Sequence, residues 1–236
     1  MKIIASEFTS LDGIVQAPGG PSEDTSGGFT HGGWSVPYFD PESMGPVIGE
    51  IAERCDALLQ GRRTYQVSAD AWPDRGGDEF SDWINQTDKY VVSDTLSEDD
   101  LTWNPTTIIR SNDLLATVEA LRSRPGGDIY VYGSLTLVRW LIAAELLDEL
   151  VLFIEPILLG GGKTLFPSDG AARKLQLISA QTATTGVQIC RYRPAGSWGS
   201  MTQPAGARRG AEAWVFGCNR VKLRLDGVSQ KATFML

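Results

Sequence analysis

Histidine is almost missing from this chain: His31 is the only one in 236 residues. A Ser-His-Asp triad or a histidine-built zinc site therefore has almost nothing to draw on. Cysteine is scarce too. Cys55, Cys190 and Cys218 are odd in number and widely separated, so neither a disulfide framework nor a metal-ligand spacing is visible. A reducing, cytoplasmic compartment is the expectation. No apolar run approaches the roughly 18 residues that span a bilayer, and Lys2 and Glu7 bring charge too early for a signal peptide. Positive charge is not in excess: 21 Lys and Arg face 29 Asp and Glu, a net charge of −8. That argues against a nucleic-acid binder relying on bulk attraction and leaves room for a local basic pocket. The dinucleotide fingerprint G-x-G-x-x-G is also absent, which disfavours a standard Rossmann cofactor site.

What is present is ordinary globular material, 42% hydrophobic and 21% charged, enough for one large domain or two small ones. Lys2 to Thr9 reads as a first strand, Leu11-Asp12-Gly13 as a turn, and Ile14-Val15 as the start of a short return strand. Ala17 to Gly33 is rich in Gly, Ser and Pro and has no sustained period, so it reads as a long surface loop. A helix is expected from Asp40, a good N-cap followed by Pro41, with Met44, Val47, Ile48 and Ile51 at helical spacing. Pro46 either kinks that helix or marks a later start.

Strands follow at Ala57 to Gln60, Lys89 to Val92, Thr106 to Ile109, Asp128 to Tyr132 and Leu150 to Ile154. Leu114, Leu115, Val118 and Leu121 form one helical face, and Leu135, Val138, Leu141 and Ile142 another. Two last strands, near Leu175 to Ala183 and Val187 to Arg193, are placed to pair across Thr184-Thr185-Gly186. Strands alternating with helices predict an α/β domain with a largely parallel sheet and an antiparallel edge. Composition shifts after Pro194. Residues 197–236 hold six Lys/Arg against two Asp/Glu, so this basic C-terminal extension reads as an appendage to a domain at 1–196. It is either a basic interaction arm or a non-native segment from a shifted frame.

The most informative stretch is Ala57-Leu58-Leu59-Gln60-Gly61-Arg62-Arg63-Thr64-Tyr65. An apolar run ends in glycine, and two arginines and a threonine open the next segment. That is a strand, a tight turn and a helix start, whose unpaired N–H groups and positive dipole end suit an anion. Two guanidiniums beside it favour phosphate, against the alternative of a solvated helix start. Val92-Ser93 is a second strand end, where the hydroxyl either caps a turn or joins a phosphate or ribose. Val131-Tyr132-Gly133-Ser134-Leu135-Thr136 repeats the strand, glycine, helix-start pattern. Gly160-Gly161-Gly162-Lys163-Thr164 is not a nucleotide-triphosphatase loop, because Ile157 stands where the first glycine belongs and Pro167 resists the required helix.

Taken in order, these segments resemble the dihydrofolate-reductase-like superfamily. The likeness is to the reductase domain of the bifunctional riboflavin-biosynthesis deaminase/reductase and its stand-alone relatives. It covers about residues 1–194 and rests on Ser10-Leu11-Asp12-Gly13, Gly61 to Tyr65, Val92-Ser93, Val131 to Ser134 and Glu155-Pro156-Ile157-Leu158-Leu159-Gly160-Gly161-Gly162-Lys163-Thr164-Leu165-Phe166. The last segment is specific to the riboflavin-type branch. The resemblance implies a mixed, mostly parallel sheet flanked by helices on both faces, and NADPH bound across the carboxyl ends of the central strands. Gly61, Arg62, Arg63 and Thr64 would hold the 2′-phosphate and nearby phosphates, and Ser93 would sit at the adenosine end. Gly133, Ser134, Leu135 and Thr136 would cradle the pyrophosphate and approach the nicotinamide.

The same resemblance implies catalytic roles for Asp12 and for Asp40 at the start of the first helix, although each is also accounted for as a turn residue or an N-cap. Trp34 and Glu155 would line the substrate pocket, and the Ala17 to Gly33 loop would act as a lid. The zinc-deaminase half is not expected, since His31 is followed by Gly32-Gly33 and no Cys pair exists. The function implied is hydride transfer from NADPH to a C=N or C=O of a pyrimidine-like, pterin-like or ribosylamino small molecule, of the 5-amino-6-(5-phosphoribosylamino)uracil reductase type, in a homodimer with no metal. A dihydrofolate or pterin reductase is the same-fold alternative. A nucleotide-binding module without turnover is the alternative of another class.

Overall fold

Successive strand residues point to opposite faces of a sheet, and the central strands here spend both faces on apolar side chains. Ile3, Ala5, Ala57, Leu59, Ile129, Val131, Leu150 and Leu152 face one core; Ile4, Leu58, Tyr130, Val151 and Phe153 face the other. A strand buried on both sides cannot sit at a solvent-facing edge, so helices must cover each face. The computed structural model, which describes residues 1–197, has that arrangement. The extension beyond Ser197, with Trp198, Trp214 and Phe216, lies outside the described residues.

The strands are β1 (Ile3–Ser10), β2 (Cys55–Gly61), β3 (Asp88–Val92), β4 (Thr106–Ile109), β5 (Asp128–Tyr132), β6 (Glu149–Glu155), β7 (Arg173–Thr182) and β8 (Gln188–Ser197). They form one sheet in the order β4-β3-β2-β5-β1-β6-β8-β7. All pairings from β4 to β6 are parallel, and β8 and β7 add an antiparallel edge. The helices are α1 (Pro41–Arg54), α2 (Arg62–Ala71), α3 (Glu79–Gln86), α4 (Leu114–Arg122) and α5 (Leu135–Ala143). Met44 and Ile51 of α1, Tyr65 of α2 and Ile84 of α3 bury into one core. Val118 and Leu121 of α4 and Val138 and Leu141 of α5 bury into the other. The expected α/β class, with a mixed and mostly parallel sheet between two helical layers, is the observed one. Among the described residues no helix is long and apolar enough to cross a membrane.

Local chemistry explains most element ends. Asp40 caps α1 by accepting from Glu42 N (3.1 Å) and Ser43 N (3.3 Å), and Pro41 takes the first helical position. Pro46 lies inside α1, so the helix neither begins nor stops there. Between β7 and β8 the chain reverses at Ala183–Val187, with Gly186 at φ +87°. Three local readings change. Ile14 makes only an isolated antiparallel bridge, to Thr164, so the return segment pairs with the chain after the glycine run and not with β1. Leu115 is half exposed, because α4 is covered on only one side. Helix α3 was not among the expected elements. Its signal is short: Asp78 caps Ser81 N at 2.9 Å, and only Phe80, Trp83 and Ile84 supply an apolar face.

Candidate active site

A parallel sheet gathers the carboxyl ends of its strands along one edge, and ligands of such sheets bind there. Along this edge the order of turns is Ser93 after β3, Gly61 to Thr64 after β2, Gly133 to Thr136 after β5, Ser10 to Asp12 after β1, and Glu155 closing β6. The residues expected to hold a cofactor therefore lie on three adjacent turns.

The β2 and β5 turns are laced together. Ser134 Oγ accepts from Gly61 N at 2.9 Å, and Ser134 N donates to Thr64 Oγ1 at 3.0 Å. Gly133 and Ser134 both adopt left-handed backbone, at φ +58° and +60°. A Cβ at Gly133 would meet the Thr64 side chain at 3.4 Å, an ordinary contact, so it is the left-handed backbone that favours glycine there. The starts of α2 and α5 thus lie side by side with their unpaired N–H groups along one edge. Arg62 and Arg63 are exposed there. Arg63 pairs with Asp24 at 2.8 Å, whereas Arg62 makes no ion pair among the described residues. Leu135 is half-buried against the α5 core and Thr136 is exposed. Ser93 is buried, and its hydroxyl accepts from Thr95 N (3.2 Å) and Leu96 N (3.0 Å), so it caps the turn after β3.

The long loop is tied down at several points. Gln16 donates to the carbonyls of Asp24 (3.0 Å) and Ser26 (2.9 Å) and accepts from Lys163 N (3.1 Å). Asp24 bridges two distant cations, Arg63 of α2 and Lys163 of the glycine loop, the latter at 2.5 Å. Burial pushes the Asp24 pKa up, but hydrogen bonds from Lys163 and Ser26 outweigh it and hold the carboxyl below its ordinary range. Trp34 is buried against Ile14, Ala17 and Phe29, and its Nε1 donates to Gln16 O at 2.8 Å. A cavity of about 530 Å³ opens between Ser26 to His31 and Leu159 to Lys163. None of the α2 or α5 start residues lines it.

Four carboxyls near this edge divide into two kinds. Asp12 accepts from Ser10 Oγ (2.5 Å), Gly160 N (2.8 Å) and Leu159 N (3.2 Å), and those bonds, Ser10 first, lower its pKa. It pins the turn after β1 to the glycine loop. Asp40 accepts from Thr184 Oγ1 (2.7 Å), Thr184 N (3.0 Å) and Ser43 Oγ (2.9 Å) besides its two capping bonds. Its pKa falls to about 2, the Thr184 hydroxyl being the largest cause. Asp40→Ala should lower the melting temperature by a few degrees in a thermal scan, and Asp40→Asn by less, since asparagine still caps.

Glu155 and Glu7 are the opposite kind. Glu155 is 0% exposed; Ser35 Oγ donates to its Oε1 at 2.5 Å, while Oε2 has no partner. Burial pushes its pKa up to about 7, partly offset by Ser35. Glu7, on β1, also has an unpartnered buried oxygen, and burial followed by the Glu23 carboxylate raises its pKa well above the ordinary value. Gln60 Oε1 is the third such atom among the described residues. Native interiors leave few polar atoms unpaired, and all three fall in the carboxyl-terminal halves of β1, β2 and β6. Glu7 and Gln60 were not singled out from sequence, although a Glu and a Gln inside apolar strands carry a readable signal.

Strand alternation places Ser6, Gln60, Tyr130, Tyr132 and Glu155 on the α1–α2 face. There Ser6 Oγ meets Tyr130 Oη at 2.6 Å and Ser68 Oγ meets Tyr132 Oη at 2.8 Å. The polar end of this core adjoins the turns after β2 and β5. Glu7 points to the other face, with Ile3 and Ala5.

A family model, the RibD C-terminal domain, matches residues 1–189. The Bacillus subtilis protein named "Uncharacterized protein YyaP" is 28% identical over 190 residues, covering 79% of this chain and 91% of that protein. Among solved structures, a Shewanella sp. PV-4 protein attributed to riboflavin biosynthesis superposes with a TM-score of 0.63 at 21% identity, over 83% of this chain and all of that one. Enterococcus faecalis dihydrofolate reductase, solved with NADP(H), gives 0.52 at 14% identity, over 83% of this chain and 97% of that one. These structural likenesses concern the fold, which is of the dihydrofolate-reductase type.

Proposed function

The chain belongs to the RibD C-terminal domain family, and from that premise we propose that it is an NADPH-dependent reductase of a pyrimidine-like or ribosylamino compound. One observation carries the reading most directly: two helix starts, cross-linked by Ser134, sit on neighbouring turns beside two exposed arginines. That constellation fits a group with several phosphates. Helix N-termini supply N–H donors to a pyrophosphate, and guanidiniums supply the charge that recognises a 2′-phosphate.

NADPH supplies a hydride when bound. The residues then have distinct tasks. Arg62, Arg63, Gly61 and Thr64 bind phosphate; Gly133, Ser134, Leu135 and Thr136 receive the pyrophosphate, with Ser93 flanking at the β3 turn. Asp24 must share Arg63 with any phosphate, so Arg62 carries more of that recognition. Tyr132, Gln60 and Glu155 gather on the α1–α2 face beside those turns, and the planar ring of the substrate is assigned to that side; Trp34 packs within the long loop. The bridges from Asp24 to Lys163 and Arg63 tie the Ala17 to Gly33 loop to the glycine loop and to the start of α2, and in this reading that loop closes over the bound cofactor and limits water. Asp12, filled by Ser10, Leu159 and Gly160, ties the β1 turn to the glycine loop, and Asp40, bonded to Thr184, ties the start of α1 to the turn between β7 and β8.

The reading includes a homodimer, which the exposed Leu175, Leu177 and Ile178 of edge strand β7 support. It is tested by incubating the full chain with NADPH and 5-amino-6-(5-phosphoribosylamino)uracil, or with dihydrofolate, and following nicotinamide absorbance. Oxidation with the uracil and not with dihydrofolate is expected. Tight NADPH binding without oxidation by either compound would favour a nucleotide-binding module.

A further inference from the structure

We propose that Glu155 carries the proton that this reduction consumes, with Ser35 as the residue that positions it. The inference rests on the reductase reading given above. Hydride addition to a C=N or C=O forms a C–H bond and leaves the electron pair of the broken π bond on nitrogen or oxygen. That atom needs one proton. The hydride comes from the nicotinamide donor. The proton would leave Glu155 Oε2, and the resulting carboxylate would regain one from water.

The choice among carboxyls follows from their partners. Asp12 and Asp40 each accept several hydrogen bonds, two or more of them from backbone N–H groups, and such bonds stabilise the ionised form. Asp24 is ion-paired twice. None of the three is suited to hold a proton near neutral pH. Glu7 is, but it faces the opposite side of the sheet, with the Glu23 carboxylate beside it.

Glu155 alone combines complete burial, a single donor at Oε1, an orphaned Oε2 and a place on the face that carries Tyr132. It pairs with Ser10 of β1 in the sheet register and is met by Ser35 from the end of the long loop. No charged side chain contributes to its titration; burial and the Ser35 hydroxyl are the causes. A protonated Oε2 is a donor with no acceptor among the described residues. A buried donor without a partner is costly, and a substrate heteroatom would satisfy it. The geometry gives Ser35 a separate task. Its hydroxyl occupies Oε1, so the proton is confined to the other oxygen.

Two measurements on the full chain test this. The first needs no substrate: a carbon-13 titration of glutamate-labelled protein, with Glu155→Gln used to assign the signal. A carboxyl titrating near pH 7 and missing from the variant is expected. In Ser35→Ala the same signal should titrate at higher pH, because the donor to the carboxylate is gone. A Glu155 signal that is ionised already at pH 5 overturns the proposal.

The second measurement is turnover of NADPH with 5-amino-6-(5-phosphoribosylamino)uracil. Glu155→Gln should lose on the order of 10²-fold in kcat or more with NADPH affinity unchanged. The wild-type rate should fall as pH rises through 7. Ser35→Ala should retain part of the rate, with that fall displaced to higher pH. Equal kcat in wild type and Glu155→Gln overturns the proton role. Should the wild type oxidise no NADPH with this compound, the substrate reading fails, and the titration still decides whether Glu155 holds a proton.

Discussion

The double variant Arg62→Ala, Arg63→Ala should weaken NADPH on the order of 10²- to 10⁴-fold and leave NADH within a few-fold. The two cofactors differ by one phosphate, and a hydrogen bond to a charged group contributes roughly 1.5–3 kcal/mol. Two such bonds convert to that range of affinities. The structure ranks the single variants. Arg63 already neutralises Asp24 at 2.8 Å, so a phosphate must compete for it. Arg62 has no such competitor among the described residues, so Arg62→Ala should account for most of the loss. Asp24→Asn releases Arg63 and should recover affinity in the Arg62→Ala background. Both arginines are exposed, so the NADPH preference should shrink as salt rises from 50 to 500 mM. Calorimetry with both cofactors at fixed ionic strength checks all of this. Equal and small losses for NADPH and NADH in the double variant would remove the phosphate from this turn.

Glu155→Gln should make the protein more stable at pH 8 and no more stable at pH 4. The sign follows from proton binding. Folding raises the Glu155 pKa from 4.5 to about 7, so the native state holds the proton more tightly than the unfolded chain. Below about pH 4.5 both states are protonated and burial of the acid carries no ionisation penalty. As pH rises toward 7, the unfolded state gains by ionising and the native state does not. A rise of that size corresponds to about 3 kcal/mol of lost stability above pH 7.

Glutamine is neutral at every pH, so the variant should show a flat profile where the wild type declines. Its amide N–H₂ lacks an acceptor, which offsets part of the gain. Urea denaturation at the two pH values reads the difference. A variant that loses activity while gaining alkaline stability marks a residue kept for chemistry and not for folding.

How much of this could be read in the chain depends on how local the signal was. The capping of α1 by Asp40-Pro41 and the strands Thr106–Ile109 and Asp128–Tyr132 match expectation because capping chemistry and apolar periodicity are local. The paired turns at Gly61 and Gly133 were legible as two separate strand, glycine, helix-start patterns. Their joining through Ser134 was not, because it depends on β2 and β5 being neighbours despite a gap of 66 residues between Gly61 and Asp128 in which β3, β4 and α4 intervene.

The carboxyls were harder still. Asp12 and Asp40 stand out in sequence as turn and cap residues, and their donors come from Leu159, Gly160 and Thr184, far along the chain. Glu155 was legible only through the Glu-Pro-x-x-x-Gly-Gly-Gly pattern, and its single partner Ser35 arrives from a loop with no periodicity. Glu7 and Gln60 differ from their apolar neighbours in an obvious way. Whether a polar residue in a strand is paired or orphaned is a tertiary fact.

The most direct test is the pair of dissociation constants of the unmodified full chain for NADPH and NADH, measured by fluorescence at one salt concentration. NADPH binding at least on the order of 10²-fold tighter than NADH is expected from two charge-assisted contacts to the 2′-phosphate. Equal affinities, or no binding of either, would contradict a dinucleotide clasp built on Gly61 to Thr64 and Gly133 to Thr136.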